Sequence, residues 1–203
     1  MFIIGITGSP GTGKTYFSKT VHNKFNSIDI IELNDIIRKQ KAFTHIDRDK
    51  VMTADIRKLN KIIKQQLKEF AKAEIKTGKK RVVVYVGHLV PELSIRLDIC
   101  FVMRARLSLL AKRMTARGYS KRKIKENLIS EAVDYCGTKA KDMSESIYEI
   151  ETCAEKKSAL RILNSLLKNK TVKIGREKTT LKNTLDKMPE LLKMIKNKNI
   201  YRF

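Results

Sequence analysis

The chain has 203 residues and a mass of 23.4 kDa, and 42% of its residues are hydrophobic. That is enough for one compact domain with a sizeable core, and too apolar for a disordered or fibrous chain. With 44 Lys and Arg against 21 Asp and Glu, the net charge is +23, which attracts polyanions such as RNA, DNA or an acidic membrane surface.

Several classes fall away at once. No run reaches the roughly 20 apolar residues of a membrane span. The opening Met1-Phe2-Ile3-Ile4 has no basic region before it, as a secretory signal would. Cys100, Cys136 and Cys153 are widely spaced and form no C-x-x-C, and His22, His45 and His88 are scattered. Neither a zinc site nor a disulfide framework is indicated, and a reducing, intracellular setting is expected: the cytoplasm, or the nucleus of a eukaryotic cell.

Short apolar runs alternate with longer helical patterns, which predicts an α/β domain with a mostly parallel sheet. Phe2–Thr7 reads as a buried strand, followed by a Gly-rich turn and a helix over about 14–25. Residues 27–33 read as a second strand, after which Asn34 or Asp35 caps a short helix to Lys41. Residues 42–49 look polar and irregular, and a long amphipathic helix is expected over about 50–76, ended by Gly78. The β-branched run 82–86 predicts an inner strand, and 97–103 the next. Three helical stretches cover 105–143 with breaks near Gly118 and Gly137; 146–151 is a fifth strand and 156–167 is amphipathic. The composition shifts after Leu167: residues 168–203 carry 11 basic and 3 acidic side chains. The expected organisation is a domain over 1–167 and a basic helical tail over 168–203.

The strongest chemical signal is Gly8-Ser9-Pro10-Gly11-Thr12-Gly13-Lys14-Thr15, a full G-x-x-x-x-G-K-[ST] between a strand and a helix. The glycines let backbone N–H groups curl around phosphate, and the helix start at Lys14-Thr15-Tyr16 adds unpaired donors and a positive dipole end. Lys14 can reach the β- and γ-phosphates and Thr15 can bind Mg2+. A guanine-reading N-K-x-D is missing, since Asn197-Lys198-Asn199-Ile200 lacks the Asp. A small nucleotide kinase fits better. It needs an acceptor site at the exit of the second strand, for which Asp35–Arg38 is the candidate, and a basic lid. Residues 104–125 supply the lid, with nine basic and no acidic side chains. His88, just after an inner strand, is placed to position a water or polarise a phosphate oxygen. Asp35 and Arg38 stand one helical turn apart, a spacing that also suits a surface ion pair.

These motifs resemble the adenylate kinase isoenzyme 6 family, whose members look like atypical adenylate kinases that also act as ribosome-assembly ATPases. The Gly8–Thr15 loop is similar to the family's G-T-P-G-x-G-K-T, and Leu33-Asn34-Asp35-Ile36-Ile37-Arg38 to its V-G-D-L-A-R. Gly87-His88 resembles the end of its D-x-H element, and Ala116-Arg117-Gly118-Tyr119 its T-R-G-Y lid. Glu126-Asn127 through Glu131 resembles the E-N-…-E helix after the lid, and Tyr148-Glu149-Ile150-Glu151-Thr152 the strand Y-E-I-D-T.

The resemblance implies a P-loop nucleotide-kinase fold with five parallel strands, a monophosphate-binding region over about 32–55 and a lid over about 116–126. It implies ATP binding by Gly11, Thr12, Gly13, Lys14, Thr15, Tyr16, Arg117 and Lys156, AMP binding by Asp35 and Arg38, Mg2+ on Thr15, and catalysis by Lys14, His88 and Arg117. It also implies a small ribosomal subunit precursor, its rRNA or a ribosomal protein as partner. One position departs from the pattern: where the family has an Asp two residues before the His, this chain has Val86. A valine cannot orient hydrated Mg2+, so weakened turnover is expected unless a nearby carboxylate, such as Asp98, substitutes. Residues 56–81 (ten basic, two acidic) and the tail together hold +16, charge that a nucleotide does not explain. That charge favours an RNA-rich partner over a membrane. Kinase of AMP, nucleotide-switched assembly factor and kinase of another small acceptor are the three readings.

Overall fold

A computed structural model describes residues 1–25, 28–46, 52–151 and Leu160. In chain order the elements are β1 (Phe2–Thr7), α1 (Lys14–Lys24), β2 (Ile28–Glu32), α2 (Leu33–Lys39), β3 (Phe43–Ile46), β4 (Met52–Ala54) and α3 (Ile56–Thr77). There follow β5 (Val82–Val86), β6 (Ile99–Arg104), α4 (Leu107–Ala116), α5 (Lys121–Ala132), α6 (Tyr135–Ala140) and β7 (Ile147–Glu151).

Five strands form one sheet in the order β2-β5-β1-β6-β7, and every pairing in it is parallel. The sheet is thus that of the parallel α/β domain that the alternation of runs predicts, with the five strands that the resemblance implies. β1 takes the middle position, with β5 inside the sheet beside it. Side chains of β5 alternate between two layers. Val83 and Tyr85 pack with Leu33, Leu59 and Ile63; Val84 and Val86 pack with Ile4, Ile6, Phe17 and Val21. The first layer lies under α2 and α3, the second under α1. On the α1 side Phe101 meets Phe17 edge-on at 5.9 Å and lies 5.7 Å from Tyr148, and Leu160 packs at the margin. A third cluster, Leu107, Leu110, Met114, Ile124 and Leu128, holds α4 to α5.

Four local expectations are corrected. The stretch read as irregular forms, with Met52–Ala54, an antiparallel pair, so this insertion is a β-ribbon and not helical. The short F-T-H-I segment is exposed on most of its positions, so it lacks the apolar alternation that marks a half-buried strand. The long helix starts at Ile56 and not near Lys50, because Asp55 caps it by accepting from the Lys58 N–H at 2.9 Å. The helix after β2 begins at Leu33, and Asp35 sits in its first turn without capping it. The break expected near Gly137 falls at Val133-Asp134, and Gly137 lies inside α6. A Cβ at 137 would stand 2.4 Å from Asp134 Oδ1 and 2.5 Å from Arg104 Nη2, so this position needs glycine for space, not for a turn. The amphipathic stretch 156–167 and the tail, apart from Leu160, lie outside the described residues.

Candidate functional site

The loop after β1 takes its shape from its glycines. Gly11 and Gly13 have φ of +90° and +94°, values that an L side chain strains to adopt. Gly8 passes so close to β6 that a Cβ would lie 2.3 Å from the Met103 carbonyl oxygen. Inside the loop, the Thr12 hydroxyl donates to the Ser9 carbonyl at 2.8 Å, and the Lys14 ammonium donates to the Gly8 and Ser9 carbonyls at 2.6 and 3.0 Å. The first intrahelical bond runs from the Phe17 N–H to the Gly13 carbonyl, so the N–H groups at the start of α1 stay available to an anion. Enclosure behind the loop pushes Lys14 down to about 8, with Arg117 adding to the effect and Cys136, Glu131 and Glu32 opposing it. A phosphate beside that ammonium reverses the push, because an opposite charge favours the protonated form.

Behind the loop lies a buried polar network. The Ser9 hydroxyl donates to Glu131 Oε2 at 2.8 Å, and Glu131 stands 3.8 Å from Arg104. Arg104 also pairs with Asp134 and, at 2.9 Å, with Glu149. Arg104, Glu131 and Asp134 are 8%, 1% and 4% exposed. The surrounding carboxylates hold the Arg104 guanidinium firmly protonated against the opposing pull of desolvation. The network ties the loop to α5, β6 and β7, so the candidate phosphate seat and the candidate lid helix share one anchor.

The basic segment over the loop is α4, a turn at 117–120, and α5 capped by Ser120. Arg117 ends α4 and is exposed, and Arg113 donates to the Gly11 carbonyl at 2.7 Å. His88 follows β5 and is exposed. Partial desolvation by the surrounding walls, with the charges of Lys14 and Lys123, pushes its imidazole down to about 4. It is neutral at pH 7, so it can accept as well as donate a hydrogen bond. Val86 is fully buried in the apolar layer under α1. Asp98 does not replace the missing acid: its carboxylate accepts from the Ile3 N–H at 2.7 Å, beside the start of β1 and at the opposite end of that strand from the loop.

On the α1 side of the loop a cleft of about 490 Å³ is lined by Thr15, Ser18, Lys19, Glu32, Asp35 and Arg38, among others. It brings the Mg2+ candidate Thr15 together with the acceptor candidates Asp35 and Arg38, which form no ion pair with each other. Sequence reasoning missed Glu32. Burial raises the pKa of its carboxyl, and the bond from the Ser18 hydroxyl at 3.1 Å opposes that rise. An acid closing an apolar strand was the signal that could have found it. It also missed Glu131's bond to Ser9 and the Arg104 network, whose partners lie 27 to 122 residues apart in the chain. Gly11, Thr12, Gly13, Lys14, Thr15 and Tyr16 fall together in the loop and at the head of α1, with Tyr16 62% exposed. Lys156 lies outside the described residues. For Mg2+ the donors are chemically suitable, since the Thr15 hydroxyl and two carboxylates are hard oxygen ligands on one wall. Among the described residues no group of three or more His, Cys, Asp or Glu could cage a metal, and no helix is long and apolar enough to cross a membrane.

Comparison with known proteins bears on the family and the fold. Residues 4–134 match the family model described as AAA domain. A Methanosarcina acetivorans protein named "Putative adenylate kinase" is 33% identical over 175 residues, covering 83% of this chain and 89% of its own length. A protein of the same name from Methanosarcina barkeri is 34% identical over 152 residues, covering 74% and 76%. Among solved structures, shikimate kinase from Acinetobacter baumannii in complex with shikimate superposes with a TM-score of 0.55 at 16% identity, over 84% of this chain and 96% of that one. That likeness shows the fold. The match over 4–134 and the archaeal relatives together make the chain a member of the AAA domain family of P-loop proteins.

Proposed function

We propose that the protein is a Mg2+-dependent adenylate kinase of the isoenzyme 6 type, transferring the γ-phosphoryl group of ATP to AMP, with slow ATP hydrolysis as a side reaction. The observation that carries this reading is the shared cleft: Thr15 at the phosphate loop and Asp35 and Arg38 at the second strand's exit line one space. The archaeal relatives' name supports the same substrate pair.

In this mechanism the loop N–H groups and Lys14 hold the β- and γ-phosphates, and Lys14 exchanges its bonds to the Gly8 and Ser9 carbonyls for bonds to phosphate oxygens. Arg38 holds the AMP phosphate. An oxygen of that phosphate, already anionic at neutral pH, forms the new P–O bond as the bond from the γ-phosphorus to the bridging oxygen breaks, and ADP leaves on both sides. No general base is needed, so the rate comes from alignment and charge neutralisation by Lys14 and Arg117. Mg2+, held by Thr15, supplies further neutralisation of the phosphate oxygens. Neutral His88 positions water when the acceptor is absent. Val86 cannot orient hydrated Mg2+, so turnover is slow unless another carboxylate takes that part, and a faster ATPase in Val86→Asp is the expected sign that none does.

The direct test is ADP formation from ATP plus AMP in a coupled assay. If no ADP forms, or AMP leaves ATP consumption unchanged, the reading fails; a screen of other monophosphates and hydroxyl acceptors then addresses a different small acceptor. A second reading, in which nucleotide switches the grip on a small ribosomal subunit precursor, its rRNA or a ribosomal protein, draws support from α3. There Arg57, Lys61, Lys64, Lys68 and Lys72 line one surface groove of about 810 Å³. Affinity for ribosomal RNA that falls steeply with salt and drops on replacing Lys61, Lys64 and Lys68 by Gln supports it; negligible affinity, unchanged by salt or nucleotide, removes it.

A further inference from the structure

The chain lacks a carboxylate at Val86, but the sheet places one beside it. In the parallel pairing of β2 with β5, Glu32 is the direct partner of Val86. Paired positions on neighbouring strands lie about 4.8 Å apart and project to the same face. For Val86 that face is the layer under α1. Glu32 reaches α1 as well: the Ser18 hydroxyl donates to its Oε1 at 3.1 Å. Ser18 stands one helical turn after Thr15, and its one hydroxyl proton is shared between Glu32 Oε1 and the Thr15 carbonyl, each at 3.1 Å. Oε2 of Glu32 has no hydrogen-bond partner among the described residues, and the residue is one wall of the cleft that Thr15 also lines.

We propose that Glu32 is the carboxylate that orients the hydrated Mg2+ beside Thr15, a role moved one strand sideways from position 86. Glutamate carries one more methylene than aspartate, which suits a group acting from the neighbouring strand. Mg2+ keeps several waters and takes few protein ligands, so one hydroxyl and one carboxylate acting through water complete its protein contacts. Ser18 has the supporting part: it fixes Oε1 and leaves Oε2 to the cleft, as outer partners do at metal sites. The assignment rests on the nucleotide-kinase reading, because the ion it serves arrives with ATP.

The test is binding, not turnover. A fluorescent non-hydrolysable ATP analogue is titrated against wild type, Glu32→Gln and Glu32→Asp over a series of Mg2+ concentrations, with thermal midpoints measured in parallel. Gln keeps an oxygen for Ser18 but loses the charge; Asp keeps the charge. For Glu32→Gln, the Mg2+ concentration giving half-maximal enhancement of analogue binding rises about tenfold or more, the usual cost of losing an outer-sphere partner. Metal-free analogue binding stays as in wild type, and Glu32→Asp stays closer to wild type than Gln. Spin resonance of Mn2+ bound with the analogue reports the same loss. A Glu32→Gln protein with wild-type Mg2+ dependence overturns the proposal, as does equal loss in both variants alongside a lowered thermal midpoint. Wild type that binds no analogue at all overturns the nucleotide reading itself, and this assignment with it.

Discussion

The phosphate loop and the proposed acceptor wall share one cleft but hold their charged groups differently. Behind the loop, Arg104, Glu131 and Asp134 are buried and joined through Ser9 to the loop backbone. On the acceptor side Asp35 and Arg38 are exposed, on a two-turn helix followed by a two-stranded ribbon. Buried charged networks are costly to disturb and fix a geometry, whereas exposed charges tolerate replacement and motion. On the proposed reading, the part of the reaction that does not vary, gripping a triphosphate, is thus built into the core, and the choice of acceptor is left to a surface that can be altered.

Four experiments break or sharpen this contrast. Arg104→Met leaves the buried carboxylates of Glu131 and Asp134, and the half-buried Glu149, without their guanidinium and is expected to lower stability by about 3–5 kcal/mol, the scale for breaking a buried ion pair; chemical denaturation measures it. A loss below about 1 kcal/mol, the scale of an exposed pair, would erase the distinction between the two walls. Lys14→Met should leave the fold intact and lower kcat for ADP formation by about 10²–10³-fold, the scale for removing one donor aimed at developing charge.

On the other wall, Arg38→Met should raise the KM for AMP by roughly 10- to 100-fold, as expected for one charged hydrogen-bonding partner, with ATP binding unchanged. An equal effect on ATP would mean that the walls are not separate subsites. The smallest effect concerns His88. Its pKa in the fold, about 4, lies below its ordinary 6.5, so as acid is added the unfolded chain takes up the proton first. The stability tied to neutral His88 is fully present above pH 6.5 and is lost as pH falls towards 4. The thermal midpoint of His88→Asn should therefore fall less than that of wild type across this window. The pH profile of phosphoryl transfer should show no inflection from His88 near 6.5.

The contrast also governs what the sequence could reveal. The loop is legible because its determinants are contiguous: Gly8, Gly11 and Gly13 shape it and Lys14 and Thr15 follow at once. The five parallel strands are legible for the same reason, as apolar runs bounded by turns. The ribbon is not, because Thr44, His45 and Ile46 are all exposed and no core imposes alternation on them. The anchor behind the loop is not, because Glu131, Asp134 and Glu149 meet Arg104 only through the winding of the sheet. Glu32 is an intermediate case. Its residue type was visible at a strand end, but its relation to Val86 needed the register of β2 on β5. Asp98, closer to Val86 in sequence, holds the far end of β1 instead.

The cluster around Arg104 has a consequence for leaving as well as for binding. Three carboxylates surround one guanidinium, and one of them, Glu131, grips the loop at Ser9. Negative charge therefore stands behind the candidate phosphate seat, with Glu131 and Asp134 buried, where such charges act over longer distances. It opposes part of the pull that Lys14, Arg113 and Arg117 exert from the front. On the proposed kinase reading, a diphosphate product, which offers those cations fewer oxygens than ATP, is expected to feel the opposition more in proportion, so the loop that takes up the nucleotide is also the one built to let the spent one go.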